Sequence, residues 1–232
     1  MSEKNNRGQS EIKLLSFDID NTLIDFNTLQ SNFGRVWEKY GANNGILLTY
    51  NTGRLIDDVM SLIQKGHLPP PDYIIAGVGT HIYDYRNQSV LKEFDEILDE
   101  GWDLEAVEAM IQNLGYPIDK QPGKFQHAYK RSYYFLNAGP DVIQSIEQEF
   151  VRADMYVNVV YSSNKHLDIL PKYANKGNAL QWLLKKLEFA PRNALVAGDT
   201  GNDSAMYNLE DIKGITVGNA REELYQLTKF RQ

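Results

Sequence analysis

The sequence predicts an α/β protein with a doubly wound parallel-sheet core that carries an inserted α+β segment. Two observations lead to this fold class. In the first and last parts of the chain, short apolar runs alternate with helix-like stretches, and each run is nearly continuous. Continuous runs are typical of parallel strands covered on both faces. Between these two parts of the chain, the regular alternation of apolar runs and helix-like stretches is lost. We therefore assign residues 11–83 and 172–232 to the core, residues 84–171 to the insertion, and residues 1–10 to a disordered N-terminus.

The core elements follow one another as strand and helix. Five apolar runs are predicted as strands, at residues 12–17, 45–50, 73–79, 193–198 and 214–218. Three stretches are predicted as helices, at residues 28–41, 54–66 and 175–189. The first two helices end in a Gly that suits a C-cap, and the third spaces its apolar residues at helical intervals. This alternation predicts a doubly wound sheet.

The inserted segment begins with a charged, aromatic stretch that is helix-like. A strand is predicted at residues 127–137, a helix at 141–153, and two further strands at 155–163 and 166–170. The flanks "YDYRNQS" and "PKYANKG" are polar and prone to turns, and core-type strands resume after the second flank. We therefore expect an insertion rather than an appended domain.

Composition limits the classes of partner. The chain has 232 residues, is 42% hydrophobic and has a formal net charge of -7. A negative chain is disfavoured as a nucleic-acid binder, whose phosphates are usually met by a basic face. The chain has no Cys, which excludes thiolate chemistry and Cys-ligated zinc. No apolar run approaches the roughly 18 residues of a membrane span, and the first residues do not resemble a signal peptide. The expectation is a cytoplasmic protein without a membrane or nucleic-acid partner.

Polar residues follow four of the five predicted core strands. In open α/β sheets, ligands bind beyond the carboxyl ends of the strands, so these four groups are expected to converge on one site. The groups are Asp18 with Asp20, Thr52 with Gly53 and Arg54, Gly79 with Thr80, and Asp199 with Asn202 and Asp203.

Three of these carboxylates, Asp18, Asp199 and Asp203, repel one another unless a cation lies among them, and an all-oxygen set suits Mg²⁺. Lys176 precedes a predicted helix, so an anion there would meet its ammonium and the helix N-terminal amides. Thr52 and the amide of Gly53 can donate to the same anion. Alternatives remain open at this stage. The first Asp pair can form a solvated turn, and Asp203 can be an ordinary N-cap.

The motifs "DIDNT", "NTGR", "NKG" and "GDTGND", in that order, resemble those of the haloacid dehalogenase (HAD) superfamily of aspartate-nucleophile phosphatases. Within that superfamily the chain is similar to the sucrose-phosphate phosphatase family, through "YNTGR", "VGTHIY", "KRSY", "SSNKHLDILP" and "NKGNA". The resemblance covers nearly the whole chain after Glu11. It implies a HAD-like core and a cap formed by the insertion. This chain has Asn164 and His166 where that family usually has a Gly and an acidic residue.

The resemblance implies a magnesium-dependent phosphatase acting on a sugar phosphate that is similar to sucrose 6-phosphate. Asp18 would be the nucleophile and Asp20 the general acid and base. Mg²⁺ would be held by Asp18, the Asp20 backbone carbonyl, Asp199 and Asp203. Thr52, Gly53 and Lys176 would hold the phosphoryl oxygens. Arg54 follows the phosphate-binding Thr in the family, although an Arg there can instead pair with a nearby acid.

The expected sugar contacts lie mainly in the cap. Candidates for the sugar and the rest of the substrate are Lys130, Tyr133, Lys165, His166, Asp168, Asn178, Gln181 and Asn202. His81 and His127 are expected to be structural. Two alternatives to a phosphatase stay open: a phosphosugar mutase of the same superfamily, and a catalytically silent sugar-phosphate-binding module. A functional link to a sugar-phosphate glycosyltransferase is a further expectation.

Overall fold

The computed structural model of the chain describes residues 11–25, 27–29, 31–162 and 164–229. The prediction of disorder for residues 1–10 lies outside this range. The strands are β1 (Leu14–Phe17), β2 (Leu47–Asn51), β3 (Tyr73–Ala76), β4 (His81–Asp84), β5 (Ser89–Val90), β6 (Asp119–Lys120), β7 (Arg131–Tyr134), β8 (Val157–Ser162), β9 (His166–Pro171), β10 (Ala194–Gly198) and β11 (Lys213–Thr216). The α-helices are α1 (Phe33–Tyr40), α2 (Ile56–Gln64), α3 (Asp95–Leu98), α4 (Leu104–Asn113), α5 (Pro140–Arg152), α6 (Lys176–Lys186), α7 (Ser204–Tyr207) and α8 (Glu222–Thr228).

The core is a seven-stranded sheet in the order β11-β10-β1-β2-β3-β4-β5. Its first five strands in this order are parallel, and β4 and β5 add an antiparallel edge. All five strands predicted from continuous apolar runs are present, which confirms the predicted fold class. The prediction succeeds because both faces are covered: Leu14 and Val196 pack against α6 in one cluster, while Leu48 and Tyr50 pack against α2 in another.

The core sheet continues past residue 84, where the sequence analysis placed the start of the insertion. β5 pairs with β4, and the buried side chains of Phe94 and Leu98 belong to the same cluster as Ile75 and Ile82. The polar flank at residues 83–89 is the turn of this hairpin rather than a linker. Polar turn residues occur in both settings, so composition could not distinguish them.

A second, antiparallel sheet has the order β6-β7-β9-β8 and, with α4 and α5, is called the cap below. One face of this sheet packs against α4 and α5 through a cluster that includes Val107, Phe150 and Leu167. The other face is turned toward the core. On that side β8 lies against the turn at residues 201–203, and Val160 packs against the core cluster. The cap therefore covers the carboxyl edge of the parallel sheet.

Among the described residues, the longest and most apolar helices still fall short of what a bilayer crossing requires.

Candidate active site

Asp18 lies at the end of β1, the central strand of the parallel sheet. Phe17 pairs with Ala197 of β10 and Tyr50 of β2, so the residues that follow these three strands leave the sheet at one edge. The amide of Asp18 donates to the carbonyl of Ala197 at 2.9 Å, which fixes the start of the turn. Asp18 is only 5% exposed. Parallel register thus places its carboxylate beside the two loops that carry Thr52 and Asp199.

Lys176, the first residue of α6, lies between two of the three clustered carboxylates. Its Nζ donates to Asp18 Oδ1 at 2.7 Å and to Asp203 Oδ1 at 2.6 Å. The Lys176 side chain is 1% exposed. Burial alone lowers the pKa of a lysine, but the carboxylates of Asp18 and Asp203 raise the pKa of Lys176 above its ordinary value. Lys176 is therefore a buried, charged ammonium that faces the Asp18 carboxylate.

The carboxylates outnumber the ammonium. Asp18, Asp199 and Asp203 are all buried, and one possible ligand atom from each lies within 4.8 Å of the others. Burial, opposed by Lys176 and reinforced by Asp203, raises the pKa of Asp18 to about 7. Burial and the neighbouring Asp203 raise the pKa of Asp199 to about 6. Burial is the largest cause of both shifts, and the neighbouring carboxylates add to it.

This charge balance tests whether the residues fit the Mg²⁺ expected from the sequence. Three ionised carboxylates and one ammonium leave a net charge of about -2 in a buried site. Carboxylate oxygens are the ligands that Mg²⁺ prefers, and a divalent cation would neutralise that excess. The residues fit such an ion, with Asp18, Asp199 and Asp203 as the candidate carboxylate ligands.

Asp203 also organises the loop after β10. Its Oδ2 accepts the backbone N–H groups of Asp199 and Thr200, each at 3.0 Å. A Cβ at Gly198 would lie 2.4 Å from Asp203 Cγ, so only Gly allows this carboxylate to approach the strand end. Asp203 therefore orders the loop with one oxygen and accepts from Lys176 with the other, but its side chain does not cap α7 as the N-cap alternative expected. Asn202 lies in the same turn, and its Oδ1 accepts from the hydroxyl of Thr200 at 2.9 Å.

Arg54 pairs with Asp20 through both carboxylate oxygens. Arg54 Nε donates to Asp20 Oδ2 at 2.8 Å, and Nη2 donates to Oδ1 at 2.7 Å. Asp20 is half-buried, and its backbone pairs with Ile24 in an isolated bridge that closes the turn after β1. The bidentate pair fixes the orientation of the carboxylate as well as its position. Of the two interpretations of Arg54, the structure shows the pairing with an acid.

Thr52 and Gly53 follow β2 beside this pair. Thr52 is fully buried, and its Oγ1 accepts the backbone N–H of Arg54 at 3.1 Å. Gly53 is half-buried. The parallel pairing of β2 with β1 brings both residues to the edge that Asp18 occupies. The structure therefore gathers Asp18, Lys176, Asp199 and Asp203 around one point. Thr52 and Asp20 lie at the same edge of the sheet.

Three predicted sugar contacts lie on the face of the cap sheet that is turned toward the core. Lys130 Nζ and Asp168 Oδ2 form an ion pair at 3.1 Å, and the Ser132 hydroxyl donates to Asp168 Oδ1 at 2.6 Å. Lys130 is 6% exposed and Asp168 is 8% exposed. His166 follows on the same face, where its ring lies 5.9 Å from that of Tyr134 and its Nδ1 lies 3.0 Å from Gln121 Nε2. These groups form a polar, buried cap face.

Lys165 is exposed, and its Nζ lies over the Tyr134 ring at 5.0 Å from the centroid. It is thus at the margin of the polar cap face.

Tyr133 is not brought together with the other predicted cap residues. Side chains alternate along a strand, so Tyr133 points to the opposite face of the sheet from Lys130 and Ser132. There it joins the cluster that contains Val107 and Phe150. Its hydroxyl has no hydrogen-bond partner among the described residues, and burial followed by the nearby Glu108 raises its pKa to about 12. The position of Tyr133 corrects the expectation that it faces the cleft.

Asn178 and Gln181 are also placed elsewhere. Both line a groove of about 600 Å³ with aromatic side chains that include Phe94, Tyr173 and Trp182. The Asn178 side chain donates to the carbonyl of Tyr173 at 2.8 Å, while its backbone N–H caps α6 on Asn175. None of the clustered carboxylates lines this groove. The spacing of three residues does place both side chains on one helix face, as predicted, but that face is turned toward the segment that leads into the cap.

The sequence analysis missed two glutamines that order the polar cap face. Gln121 is buried and donates to the carbonyl of Tyr133 at 2.8 Å as well as approaching His166. Gln126 bridges to Ser132 by donating to its carbonyl and accepting from its amide. Both lie in an irregular segment between β6 and β7, where no periodic pattern marks them.

Comparison with known proteins places the chain in a family. Residues 11–231 match the sucrose-6F-phosphate phosphohydrolase family. The chain belongs to this family of HAD-superfamily phosphatases. It is 38% identical over 216 residues to the mannosylfructose-phosphate phosphatase of Agrobacterium fabrum, which covers 93% of this chain and 87% of that relative. A sucrose-phosphatase structure from Synechocystis sp. PCC6803, in complex with sucrose and phosphate, matches with a TM-score of 0.83 and 30% identity over 94% of this chain and 88% of that one.

Other relatives are longer. The chain is 32% identical to sucrose-phosphatase 2 of Nicotiana tabacum over 219 residues, which are 90% of this chain but 51% of that protein. It is 29% identical to the glucosylglycerol-phosphate synthase of Pseudomonas anguilliseptica over 217 residues, which are 93% of this chain and 27% of that protein. The chain therefore spans about half the length of the plant relative and a smaller part of the synthase.

Proposed function

We propose that the protein is a magnesium-dependent phosphatase that hydrolyses a disaccharide phosphate through an aspartyl-phosphate on Asp18. One observation carries the proposal: the buried Asp18 carboxylate, held by Lys176 and next to Asp199 and Asp203, lies at the sheet edge where β8 of the cap contacts the turn that carries Asp203. The clustered carboxylates with Lys176 suit a phosphoryl centre, and the polar cap face suits the hydroxyls of a sugar.

The first step makes a bond from an Asp18 carboxylate oxygen to phosphorus and breaks the bond from phosphorus to the sugar oxygen. Asp20 gives a proton to that departing oxygen. In the second step Asp20 takes a proton from water, which attacks phosphorus and releases phosphate and free Asp18. Arg54 orients Asp20 for both transfers, because its two hydrogen bonds fix the plane of the carboxylate.

Charge balance determines which groups hold the phosphoryl oxygens. A carboxylate that approaches a phosphate dianion is repelled unless cations lie close to both. Lys176 supplies one such cation, and Thr52 with the Gly53 amide supplies neutral donors. A Mg²⁺ ion held by Asp18, Asp199, Asp203 and the backbone carbonyl of Asp20 would supply the remaining positive charge.

Magnitudes show that proton transfer is a minor part of the rate. Acceleration of phosphate-monoester hydrolysis can reach about 10²¹, whereas one general acid contributes only about 10² to 10⁴. Positioning and electrostatic stabilisation around Asp18 must provide most of the rest. Lys176 cannot be replaced by a neutral group without losing a large part of this stabilisation.

The polar cap face, composed of Lys130, Ser132, His166 and Asp168, is the proposed sugar site. Residues from β7 to β9 thus act as a lid that determines specificity, while the core recognises phosphate. The names of two relatives, mannosylfructose-phosphate phosphatase and sucrose-phosphatase, support a disaccharide in which fructose carries a second sugar. The match to part of a glucosylglycerol-phosphate synthase supports the expectation of a functional link to a sugar-phosphate glycosyltransferase.

The experiment that tests this function measures phosphate release from sucrose 6-phosphate, mannosylfructose phosphate, other disaccharide phosphates and simple hexose phosphates, with Mg²⁺ and with EDTA. We expect the highest kcat/KM for a disaccharide phosphate, no turnover in EDTA, and recovery when Mg²⁺ is restored. An isomerised sugar phosphate in place of free phosphate would indicate a mutase. Binding without metal-dependent turnover would indicate a silent binding module.

A further inference from the structure

The loop at residues 77–80, between β3 and β4, forms hydrogen bonds with the segment that carries Thr52 and Gly53, the proposed phosphate-binding residues. The amide of Gly77 donates to the carbonyl of Arg54 at 2.8 Å, and the amide of Val78 donates to the carbonyl of Thr52 at 3.0 Å. Residues 78–80 of the loop begin the "VGTHIY" motif, to which the proposed mechanism gives no role. The hydrogen bonds of the loop tie it to the backbone of the two residues that flank Gly53.

The same loop also touches the start of α6. A Cβ at Gly79 would lie 2.2 Å from the carbonyl oxygen of Asn175 and 3.1 Å from the amide nitrogen of Lys176, so only Gly permits this approach. Gly77, Val78 and Gly79 all have positive φ, at 59°, 64° and 85°. A non-Gly residue such as Val78 is strained in that region and persists there only where its surroundings hold it. The loop therefore needs external contacts to keep its shape.

One of those contacts comes from the cap. The ring of His127, which precedes β7, approaches Thr80 with its Nε2 at 2.8 Å from the Thr80 hydroxyl. Its Nδ1 accepts the backbone N–H of Tyr129 at 3.1 Å, so the ring proton lies on Nε2 and is donated to Thr80. Thr80 is fully buried, and its hydroxyl donates a hydrogen bond to the carbonyl of Gly77 at 3.0 Å.

The contact between His127 and Thr80 involves a single protonation state of the His127 ring. Burial, together with the charges of His81, Lys130 and Arg131, lowers the pKa of His127 to about 3. The ring is neutral at ordinary pH, and its centroid lies 4.3 Å from that of His81. A neutral imidazole with Nδ1 occupied can only donate from Nε2. The contact therefore has a fixed direction from cap to core.

We propose that His127 is a positioning residue that couples the cap to the phosphate site. Its ring forms a hydrogen bond with Thr80, and this bond holds the loop at residues 77–80 in the position that orders Thr52 and Lys176. The inference rests on the proposed function, since it concerns the affinity of the same site for phosphate. Its consequence is that a residue of the cap determines how tightly the core binds a phosphate that carries no sugar.

The test uses the full chain with Mg²⁺ and measures the inhibition constant of inorganic phosphate against hydrolysis of a small aryl phosphate. His127→Leu and Thr80→Val should each weaken phosphate about three- to tenfold, as expected for one lost buried hydrogen bond. His127→Gln, whose amide can donate from the position of Nε2, and Thr80→Ser, which keeps the hydroxyl, should remain within about twofold of the parent. The double variant His127→Leu with Thr80→Val should be no worse than either single variant, because both remove the same link.

Two results would overturn the proposal. One is an unchanged phosphate inhibition constant in His127→Leu or Thr80→Val when the melting temperature falls, which would make the contact merely structural. The other is a double variant whose loss equals the product of the single losses. If one single variant does not fold, the phosphate inhibition constant of the other still tests the contact through the first of these results. Failure of the proposed function is distinguishable, because it would appear as an absence of disaccharide phosphate turnover in the parent. Calorimetric phosphate binding to the parent and variants would still report on the link.

Discussion

Single side chains determine the chemistry of this site, and Arg54 shows how. Its two hydrogen bonds hold Asp20, whereas the family pattern left open a direct role at the phosphate. In the proposed mechanism the distinction has kinetic consequences, because Asp20 gives a proton to the leaving group. A sugar alkoxide needs a proton when it departs, and a nitrophenolate does not.

We predict that Asp20→Asn lowers turnover of a sugar phosphate by about 10² to 10⁴ and of nitrophenyl phosphate by much less. Arg54→Ala should show the same dependence on the leaving group, to a smaller degree, because it misorients Asp20. The measurement is kcat for both substrates in both variants. Arg35→Ala, at an exposed position of α1, is the matched control. Equal losses of kcat on the two substrates in Arg54→Ala would assign Arg54 to the phosphate instead.

Which residues belong to the site was easier to predict from the sequence than the direction in which each side chain points. Asp18, Asp199 and Lys176 could be brought together from sequence because parallel strands end at one edge and α6 starts there. Tyr133 could not be placed, because a one-residue uncertainty in strand register moves a side chain to the opposite face. The Arg54 pair and the His127 contact depend on distances between loops, which spacing along the chain does not encode.

At the scale of elements, close backbone approaches position Lys176. A Cβ at Gly177, in the first turn of α6, would lie 2.2 Å from the carbonyl oxygen of Ala205 in α7. α6 and α7 therefore pack closely enough for Lys176 to reach Asp203 only because residue 177 has no side chain. The apolar stripe of α6 was predictable, but the need for this contact was visible only in three dimensions.

Gly177→Ala should separate α6 from α7 and withdraw Lys176 from Asp203. We expect a loss of at least about tenfold in kcat/KM and a destabilisation of about 1 to 3 kcal/mol, as for overpacking. Thermal unfolding and aryl phosphate kinetics measure the two effects. Gly123→Ala in the cap, where a Cβ meets no atom within 4 Å, is the control and should behave like the parent. Parent-like activity in Gly177→Ala would contradict this prediction, because it would show that α6 can shift away from α7 without loss of activity.

The cap sheet allows a second prediction at this scale, concerning Asp168. Asp168→Asn keeps the shape of the side chain but removes the charge that pairs with Lys130 and accepts from Ser132. Loss of a charged acceptor is worth about 1.5 to 3 kcal/mol. We therefore expect a ten- to hundredfold lower kcat/KM for the disaccharide phosphate and little change for an aryl phosphate.

Asp119→Asn, at an exposed position of β6, is the control for Asp168→Asn. Uniform losses across sugar and aryl phosphates would mean that Asp168 only stabilises the cap.

At the scale of the whole molecule, two sheets of different topology meet at one site. The fold class and the presence of an insertion could be predicted, because continuous apolar runs and a change of composition are properties of the sequence. The boundary was placed too early, since the β4–β5 hairpin belongs to the core sheet. The contacts between cap and core were not foreseen, because His127 and Thr80 lie 47 residues apart.

The pKa of His127 predicts how stability changes with pH. The folded protein binds a proton at His127 only near pH 3, whereas the unfolded chain binds one near pH 6.5. Acidification below about pH 6.5 therefore favours unfolding, by at most about 1.4 kcal/mol per pH unit for this group. The free energy of unfolding of the parent minus that of His127→Gln should fall as the pH is lowered from about 7 to about 5. Denaturant titrations at each pH measure this difference in the free energy of unfolding. A difference that stays constant with pH would contradict the buried, neutral state of His127.

The most direct test of the account is to trap the phosphoryl group on Asp18. Acid quenching during turnover of the preferred disaccharide phosphate with Mg²⁺, followed by borohydride reduction, converts an aspartyl-phosphate into homoserine, which peptide mass spectrometry can locate. We predict homoserine at position 18, its disappearance when EDTA or no substrate is present, and no turnover by Asp18→Asn. Steady phosphate release with no reduced residue at position 18, or with reduction at Asp199 instead, would contradict the assignment of Asp18 as the nucleophile.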